Sequence, residues 1–327
     1  MKIAVLGAGA WGTAIGMLWT GRHSVALWAR DPAQSQALAA TRCNEHYLPG
    51  FSLPAALRVV DDLDAAVSDA ELIVVATPVA GLRDVLGRLA PSPIPVVWLC
   101  KGFERPGAKL PHEVFAECCG GIRPGAVLSG PSFAQEVAAG LPCALTLAST
   151  DAGLARSLAQ QLHAPPLRLY SHDDVTGVEV GGAMKNVMAI AVGVCDGMGL
   201  GMNARAALMT RGLAEMTRLG IALGARPDTF SGLSGLGDLI LTCTGDLSRN
   251  RRVGLSLAAG KTLADAQREL GHVAEGVYTA HEILRRAARL DVDVPITTAV
   301  CAVLDNPADR QQIVQSLLSR TSKAETA

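Results

Sequence analysis

Short continuous apolar runs recur through the first half of the chain, at residues 3–6, 24–28, 72–76, 96–99, 126–129 and 143–148. Apolar runs without polar alternation predict parallel strands buried on both faces. Segments of helical character lie between them, among them residues 10–20 and 32–41. Asp31 before Pro32 predicts a helix start, because an N-cap aspartate accepts a free backbone N–H and proline suits the first helical position. Strands and helices alternating in this way predict a doubly wound α/β domain.

The pattern changes near residues 170–180. Beyond it the spacing predicts mostly helices, at 180–194, 204–223, 250–259, 275–290 and 307–318, punctuated by Gly, Pro and Asp. The expected division is therefore a doubly wound domain over 1–175 and an all-α domain over 176–327. A length of 327 residues agrees with two cores rather than one. No period of 20–50 residues points to a solenoid.

Composition narrows the class. Hydrophobic residues make up 49% and charged residues 18%, which suits large buried surfaces and not a disordered chain. A formal net charge of -1 offers no basic stripe for nucleic acid, although a few local cations suffice for a small anion. Residues 3–21 carry no charge after Lys2, and Ala8-Gly9-Ala10 has the form of a signal-peptide cleavage site. The apolar run proper ends at Leu6, however, and spaced glycines follow, so a strand and turn are expected there, and no membrane span elsewhere. The eight cysteines include no Cys-x-x-Cys pair and match neither a zinc site nor a disulfide framework. They are expected to pack as small hydrophobes in a reducing cytoplasm, and no histidine is assigned a metal.

Gly7-Ala8-Gly9-Ala10-Trp11-Gly12 fits G-x-G-x-x-G, a weak signal alone. Here it follows an expected strand and opens an expected helix, the context of a Rossmann-like dinucleotide site. Gly7 would allow the tight turn, Gly9 would admit the pyrophosphate, and Gly12 would let helix and strand pack closely. The end of the second strand should read the ribose. It carries Arg30, a cation suited to a 2′-phosphate or else a solvent-facing side chain, and Asp31 is explained as the helix cap. NADP is the expected cofactor, with NAD also accepted.

Two lone charges stand out in the second half. Lys185 is the only charge between Val180 and Cys195, and Asp238 the only one between Ser231 and Thr244. A lysine in an apolar helix needs a partner or a function unless it snorkels to the surface, and burial lowers its pKa toward the range of a general base. Asp238 either pairs with such a cation, Lys185 being the candidate, or caps a helix starting at Leu239. Farther on, Ser248 can cap a helix beginning near Arg249. Free N–H groups there, with Ser248, Arg249 and Asn250, would cup a dianion. The alternative is a solvated arginine face. The Gly260-Lys261-Thr262 triplet lacks the first glycine of a phosphate loop, and His281-Glu282 lacks a second zinc-site histidine.

Six segments in order resemble the bacterial-type NAD(P)-dependent glycerol-3-phosphate dehydrogenases. They are GAGAWG at the start, CKGFE around Lys101, GPSFAQEV from Gly130, VGGAMKNV around Lys185, SGLSGLGDLILTCTGDLSRNRRVG from Ser231 and VAEGV from Val273. The resemblance implies a Rossmann-like N-terminal domain, a helical C-terminal domain and an active site between them. It implies Lys185 as catalytic base and Lys101 as a contact to cofactor and substrate. Gly130, Ser132, Asp238, Ser248, Arg249 and Asn250 would bind substrate. The dinucleotide would lie against Gly7, Gly9, Ala10, Trp11, Gly12, Arg30, Ala134, Arg249, Val273 and Glu275. The implied role is glycerol 3-phosphate synthesis for phospholipids. A dehydrogenase for another substrate on the same plan, or a dinucleotide sensor without turnover, are the competing readings. A homodimer fits the reading, but the sequence does not fix the oligomeric state.

Overall fold

Strand β1 (Lys2–Leu6) runs parallel to β2 (Ser24–Trp28), with Lys2 opposite Ser24 and Leu6 opposite Trp28. The computed structural model of the chain describes residues 1–271 and 274–319. A short antiparallel hairpin follows, β3 (Cys43–Asn44) with β4 (Leu48–Ser52). Then come β5 (Arg58–Val60), β6 (Leu72–Val75), β7 (Val96–Trp98), β8 (Gly125–Ser129), β9 (Cys143–Ala148) and β10 (Leu167–His172). Apart from the hairpin, these strands form one sheet in the order β10-β9-β8-β7-β6-β1-β2-β5.

All six apolar runs are strands. One expectation fails: β9 pairs antiparallel with β8, so the sheet is mixed. Continuous burial shows that both faces are covered and does not fix strand direction. The link from β8 to β9 holds only the five-residue helix Ala134–Ala138, not a long crossover helix that would return the chain in parallel. The sequence pattern also misses β5 and β10, which are the two sheet edges. Edge strands are half-exposed, and β10 alternates buried with exposed positions over most of its length.

Strand order reverses at β1. From there β2 and β5 lie on one side, and β6, β7 and β8 on the other. In open sheets of this type a crevice opens beyond the carboxyl ends of the strands at the reversal. The large core side chains fix the layers. Trp19, Trp28 and Trp98 are buried, and each indole N–H finds an acceptor: Leu162 O at 3.1 Å, Asp61 O at 3.1 Å and Glu179 Oε1 at 2.7 Å.

From Val175 onward the described residues contain helices and no strand. The helix Val175–Gly197 forms the axis of this part, with Met202–Ala222, Arg249–Ala258, Glu275–Arg289 and Pro295–Asp305 around it. It is long and apolar enough to cross a membrane, but 94% of its most apolar window is buried inside the protein, as for a core helix. It begins five residues earlier than its pattern predicts. Asp174 caps it, accepting from Gly177 N at 2.8 Å, Arg226 N at 2.9 Å and Thr229 Oγ1 at 2.6 Å. Glycines such as those at 177, 181 and 182 ordinarily weaken a helix interior. In the structure they are contact points: a Cβ on Gly181 would stand 2.3 Å from Ser234 O. The helix Pro295–Asp305 is also missed by the pattern. Its cap comes from another helix: buried Glu215 accepts from Ile296 N at 2.8 Å and Thr297 N at 2.9 Å.

Candidate active site

The glycine turn lies in the crevice beyond β1. Gly7 has φ +124, and a Cβ on it would stand 2.8 Å from Ala76 O. A Cβ on Gly12 would stand 2.0 Å from Gly7 O. These two glycines are therefore required by the chain's own packing. Gly9 is different, since a Cβ there would meet no atom within 4 Å. Its smallness serves open space, which fits a pyrophosphate lying on bare backbone. Ala10 starts the helix Ala10–Thr20, whose N-cap Gly9 provides no side-chain cap and leaves the first N–H groups for an anion. On the facing side, Thr77 Oγ1 is buried with no partner among the described residues. An open glycine, uncapped N–H groups and an orphan hydroxyl make this crevice fit a dinucleotide.

Neighbouring residues hold the turn in place. Ala8 O accepts from Gln34 Nε2 at 2.7 Å and from Asn44 Nδ2 at 3.0 Å, and Asn44 also bonds Thr13 Oγ1 at 2.7 Å. Nothing in the sequence pattern marks Gln34 or Asn44. Trp11 and Ala134 pack in one apolar cluster, although they lie far apart in sequence. Arg30 is exposed just past β2, and Asp31 Oδ1 accepts from Ala33 N at 3.0 Å as the cap of Pro32–Thr41.

The two lone charges meet. Lys185 Nζ donates to Asp238 Oδ1, and Lys101 Nζ donates to Asp238 Oδ2 at 2.7 Å. Asp238 is the first residue of the helix Asp238–Thr244 and is fully buried. Its carboxylate does not cap that helix, which settles the alternative left by the sequence. Lys185 is 8% exposed and so is no snorkelling lysine. Burial, aided by the Lys101 ammonium and opposed by Asp238, brings the Lys185 amine down from 10.5 to about 7. Lys101 also donates to Gly130 O at 3.2 Å, and Ser132 Oγ donates to the same carbonyl at 3.0 Å. Gly130 stands at φ +135, a conformation that L side chains rarely adopt.

The second cluster adjoins the first. Ser248 caps the helix Arg249–Ala258, accepting from Arg251 N at 3.3 Å. Arg249 is exposed and forms no ion pair with a described residue, whereas Arg251 is bound to Asp196 and Asp246. Asn250 Nδ2 donates to Asn186 Oδ1 at 2.9 Å, tying this helix start to the residue after Lys185. Glu275 is the first residue of the helix Glu275–Arg289. Burial raises its carboxyl pKa, and Arg249, Lys101 and Lys185 pull it back. Val273 lies outside the described residues.

Several supporting residues carry weak or no sequence signal. Gly182 seats the Lys101 stem, since a Cβ there would stand 3.4 Å from Lys101 Cγ and 2.9 Å from Ser129 Oγ. Glu179 clamps the long helix to the sheet by accepting from Trp98 Nε1, His112 N and His112 Nδ1. It lies one residue before the apolar stretch that contains Lys185. Asn186 lies inside that stretch, but an uncharged amide did not stand out.

Comparison with known proteins gives one answer. A family model described as NAD-dependent glycerol-3-phosphate dehydrogenase N-terminus matches residues 2–155, and its C-terminus counterpart matches residues 174–315. The chain is 57% identical over 329 residues to the glycerol-3-phosphate dehydrogenase (NAD(P)+) of Dechloromonas aromatica, covering 100% of both chains. It is 58% identical to the enzyme of the same name from Methylibium petroleiphilum, covering 99% of this chain and 98% of that one. The crystal structure of glycerol-3-phosphate dehydrogenase from Coxiella burnetii superposes with TM-score 0.93 at 41% identity, covering 98% of this chain and 99% of that one. On these matches and on the site built above, the chain belongs to the NAD-dependent glycerol-3-phosphate dehydrogenase family.

Proposed function

We propose that this chain interconverts dihydroxyacetone phosphate and sn-glycerol 3-phosphate with NAD(P), and so makes glycerol 3-phosphate for phospholipid synthesis. The carrying observation is buried Lys185, bonded to Asp238 and adjoining the Ser248–Asn250 helix start through Asn186. When bound, a nicotinamide cofactor would supply the hydride chemistry at substrate C2. In oxidation, Lys185 Nζ takes the C2 hydroxyl proton. In reduction, its ammonium gives a proton to the ketone oxygen. Asp238 holds the two lysines in place, and Lys101 directs positive charge at the reacting oxygen. Gly130, Ser132, Ser248, Arg249 and Asn250 would bind the substrate, with the phosphate at the last three. Charge-assisted bonds of that type contribute about 1.5–3 kcal/mol each, enough for two or three to fix a small ester.

The dinucleotide would lie along Gly7, Gly9, Ala10, Trp11 and Gly12, with Ala134, Lys101, Arg249 and Glu275 toward its reactive end. Arg30 would meet a 2′-phosphate, which favours NADP while leaving NAD usable. The dinucleotide domain spans 1–175 and the catalytic domain 176–327 in this reading, and the protein works as a cytoplasmic homodimer. The test is an assay of the purified chain with dihydroxyacetone phosphate and NADH or NADPH, with glycerol 3-phosphate identified as product. Nicotinamide oxidation with another 2-keto substrate only would reassign the enzyme. Tight dinucleotide binding without turnover of any substrate would make it a sensor.

A further inference from the structure

Arg251 lies two residues past Arg249, yet its side chain is committed elsewhere. Nε and Nη2 hold Asp196 at 2.9 and 2.8 Å, and Nη1 reaches Asp246 at 3.0 Å. Asp196, near the end of Val175–Gly197, also takes Arg205 Nε at 2.7 Å. Asp246 stands on the loop just before Ser248, and its side chain is 98% exposed. Backbone contacts follow the same line. Arg251 N donates to Ser248 Oγ, and a Cβ on Gly193 would stand 2.1 Å from Arg251 O. The loop, the cap and the first helical turn are thereby fixed to the long helix that carries Lys185.

We propose that Arg251 is a positioning residue. By bridging Asp196 and Asp246 it sets the place of Ser248, Arg249 and Asn250 relative to Lys185, and it tunes affinity for the substrate phosphate without touching it. This rests on the reading that residues 248–250 hold that phosphate. A planar guanidinium can serve two carboxylates at once, and a lysine ammonium cannot reproduce that fork.

The competing account is a plain field, in which Arg251 attracts the dianion and the two aspartates repel it. The accounts differ in sign. Removing the Asp246 charge lowers KM for a phosphorylated substrate in the field account and raises it in the positioning account. The experiment compares wild type with Asp246→Asn, Asp196→Asn and Arg251→Lys, taking Arg249→Ala as reference and Arg252→Ala as exposed control. KM for dihydroxyacetone phosphate, kcat and the thermal midpoint are measured for each.

We expect Asp246→Asn to raise KM about 2- to 5-fold, the range of one lost solvent-exposed ion pair, with kcat within about twofold and no change in thermal midpoint. Arg251→Lys should raise KM at least as much although the charge is kept. If Arg251→Lys or Asp196→Asn does not fold, exposed Asp246→Asn decides alone. A fall or no change in KM for Asp246→Asn, while Arg249→Ala raises it strongly, overturns the positioning role and leaves the phosphate site standing. No effect of Arg249→Ala overturns the phosphate reading and this inference with it.

Discussion

The Asn250 side chain bridges two helices: its amide donates to Asn186 Oδ1 at 2.9 Å, and its carbonyl accepts from Gly276 N at 3.0 Å. Asn186 follows Lys185, and Gly276 follows Glu275. One side chain therefore links the proposed base, the proposed phosphate cup and the helix that starts at Glu275. Close packing leaves little slack, because a Cβ on Gly276 would stand 2.7 Å from Asn250 Oδ1.

Asn250→Ala removes both bonds and leaves a buried amide oxygen and a buried N–H unpaired. Stability should fall by about 1–3 kcal/mol. KM for dihydroxyacetone phosphate should rise tenfold or more. Chemical denaturation and steady-state kinetics check the two effects, and a variant with wild-type KM would remove Asn250 from the substrate site.

As the proposed base, the Lys185 amine, brought down to about 7, should give the reaction opposite pH dependences in its two directions. Above that pH the amine is free, so glycerol 3-phosphate oxidation should rise through pH 7 and level off. Below it the ammonium predominates, so ketone reduction should be fastest there and fall as pH rises. The same depression bears on stability. Between pH 7 and 10.5 the unfolded lysine holds a proton that the folded one has released, so this group makes the fold more stable as pH rises across that window. Initial rates in both directions from pH 6 to 9 provide the check, and parallel profiles would contradict the assignment.

Arg30 should govern cofactor choice and not chemistry. Arg30→Asp should weaken NADPH use by about tenfold or more, since an exposed charge-assisted bond contributes only a few kcal/mol at most. NADH use and the ketone KM should change little. The quantity to measure is kcat/KM for each cofactor in wild type and variant, and an unmoved NADPH-to-NADH ratio would make Arg30 a surface residue.

Gly193→Ala should destabilise the protein although alanine is the better helix former by about 1 kcal/mol. The added Cβ would meet Arg251 O at 2.1 Å and Gly254 Cα at 2.9 Å, both backbone atoms that cannot step aside. Overpacking of this kind costs about 1–3 kcal/mol or more. A thermal midpoint at or above that of wild type would mean that the two helices part easily, and that they do not fix the cup.

Much of the fold was legible because its signals are local. Buried strands such as Leu72–Val75 are unbroken apolar runs, and Asp31-Pro32 announces its own helix. The edge strand β10 and the helix Pro295–Asp305 were not legible, for different reasons. The first alternates buried with exposed positions and lacks the unbroken apolar run that marks the central strands. The second is capped by Glu215, a residue far away in sequence. At the site, Lys185 and Asp238 stood out because each is a lone charge among apolar neighbours, and their pairing followed from the need for a partner. The second cation on Asp238 came only from folding, since nothing near Lys101 says that its stem crosses Gly182. Asn44, Asn186 and the Asp196–Arg251–Asp246 bridge escaped for the same reason: ordinary polar residues gain their meaning from what the fold sets beside them.

The most direct test of the account is a single-turnover reduction of dihydroxyacetone phosphate, followed by loss of reduced nicotinamide, in wild type and Lys185→Ala with cofactor saturating. The account predicts glycerol 3-phosphate from the wild type. For the variant it predicts unchanged cofactor affinity and a rate constant about 10²–10⁴-fold lower. A variant that reduces the ketone at nearly the wild-type rate, or a wild type that binds the cofactor and leaves the ketone untouched, would contradict it.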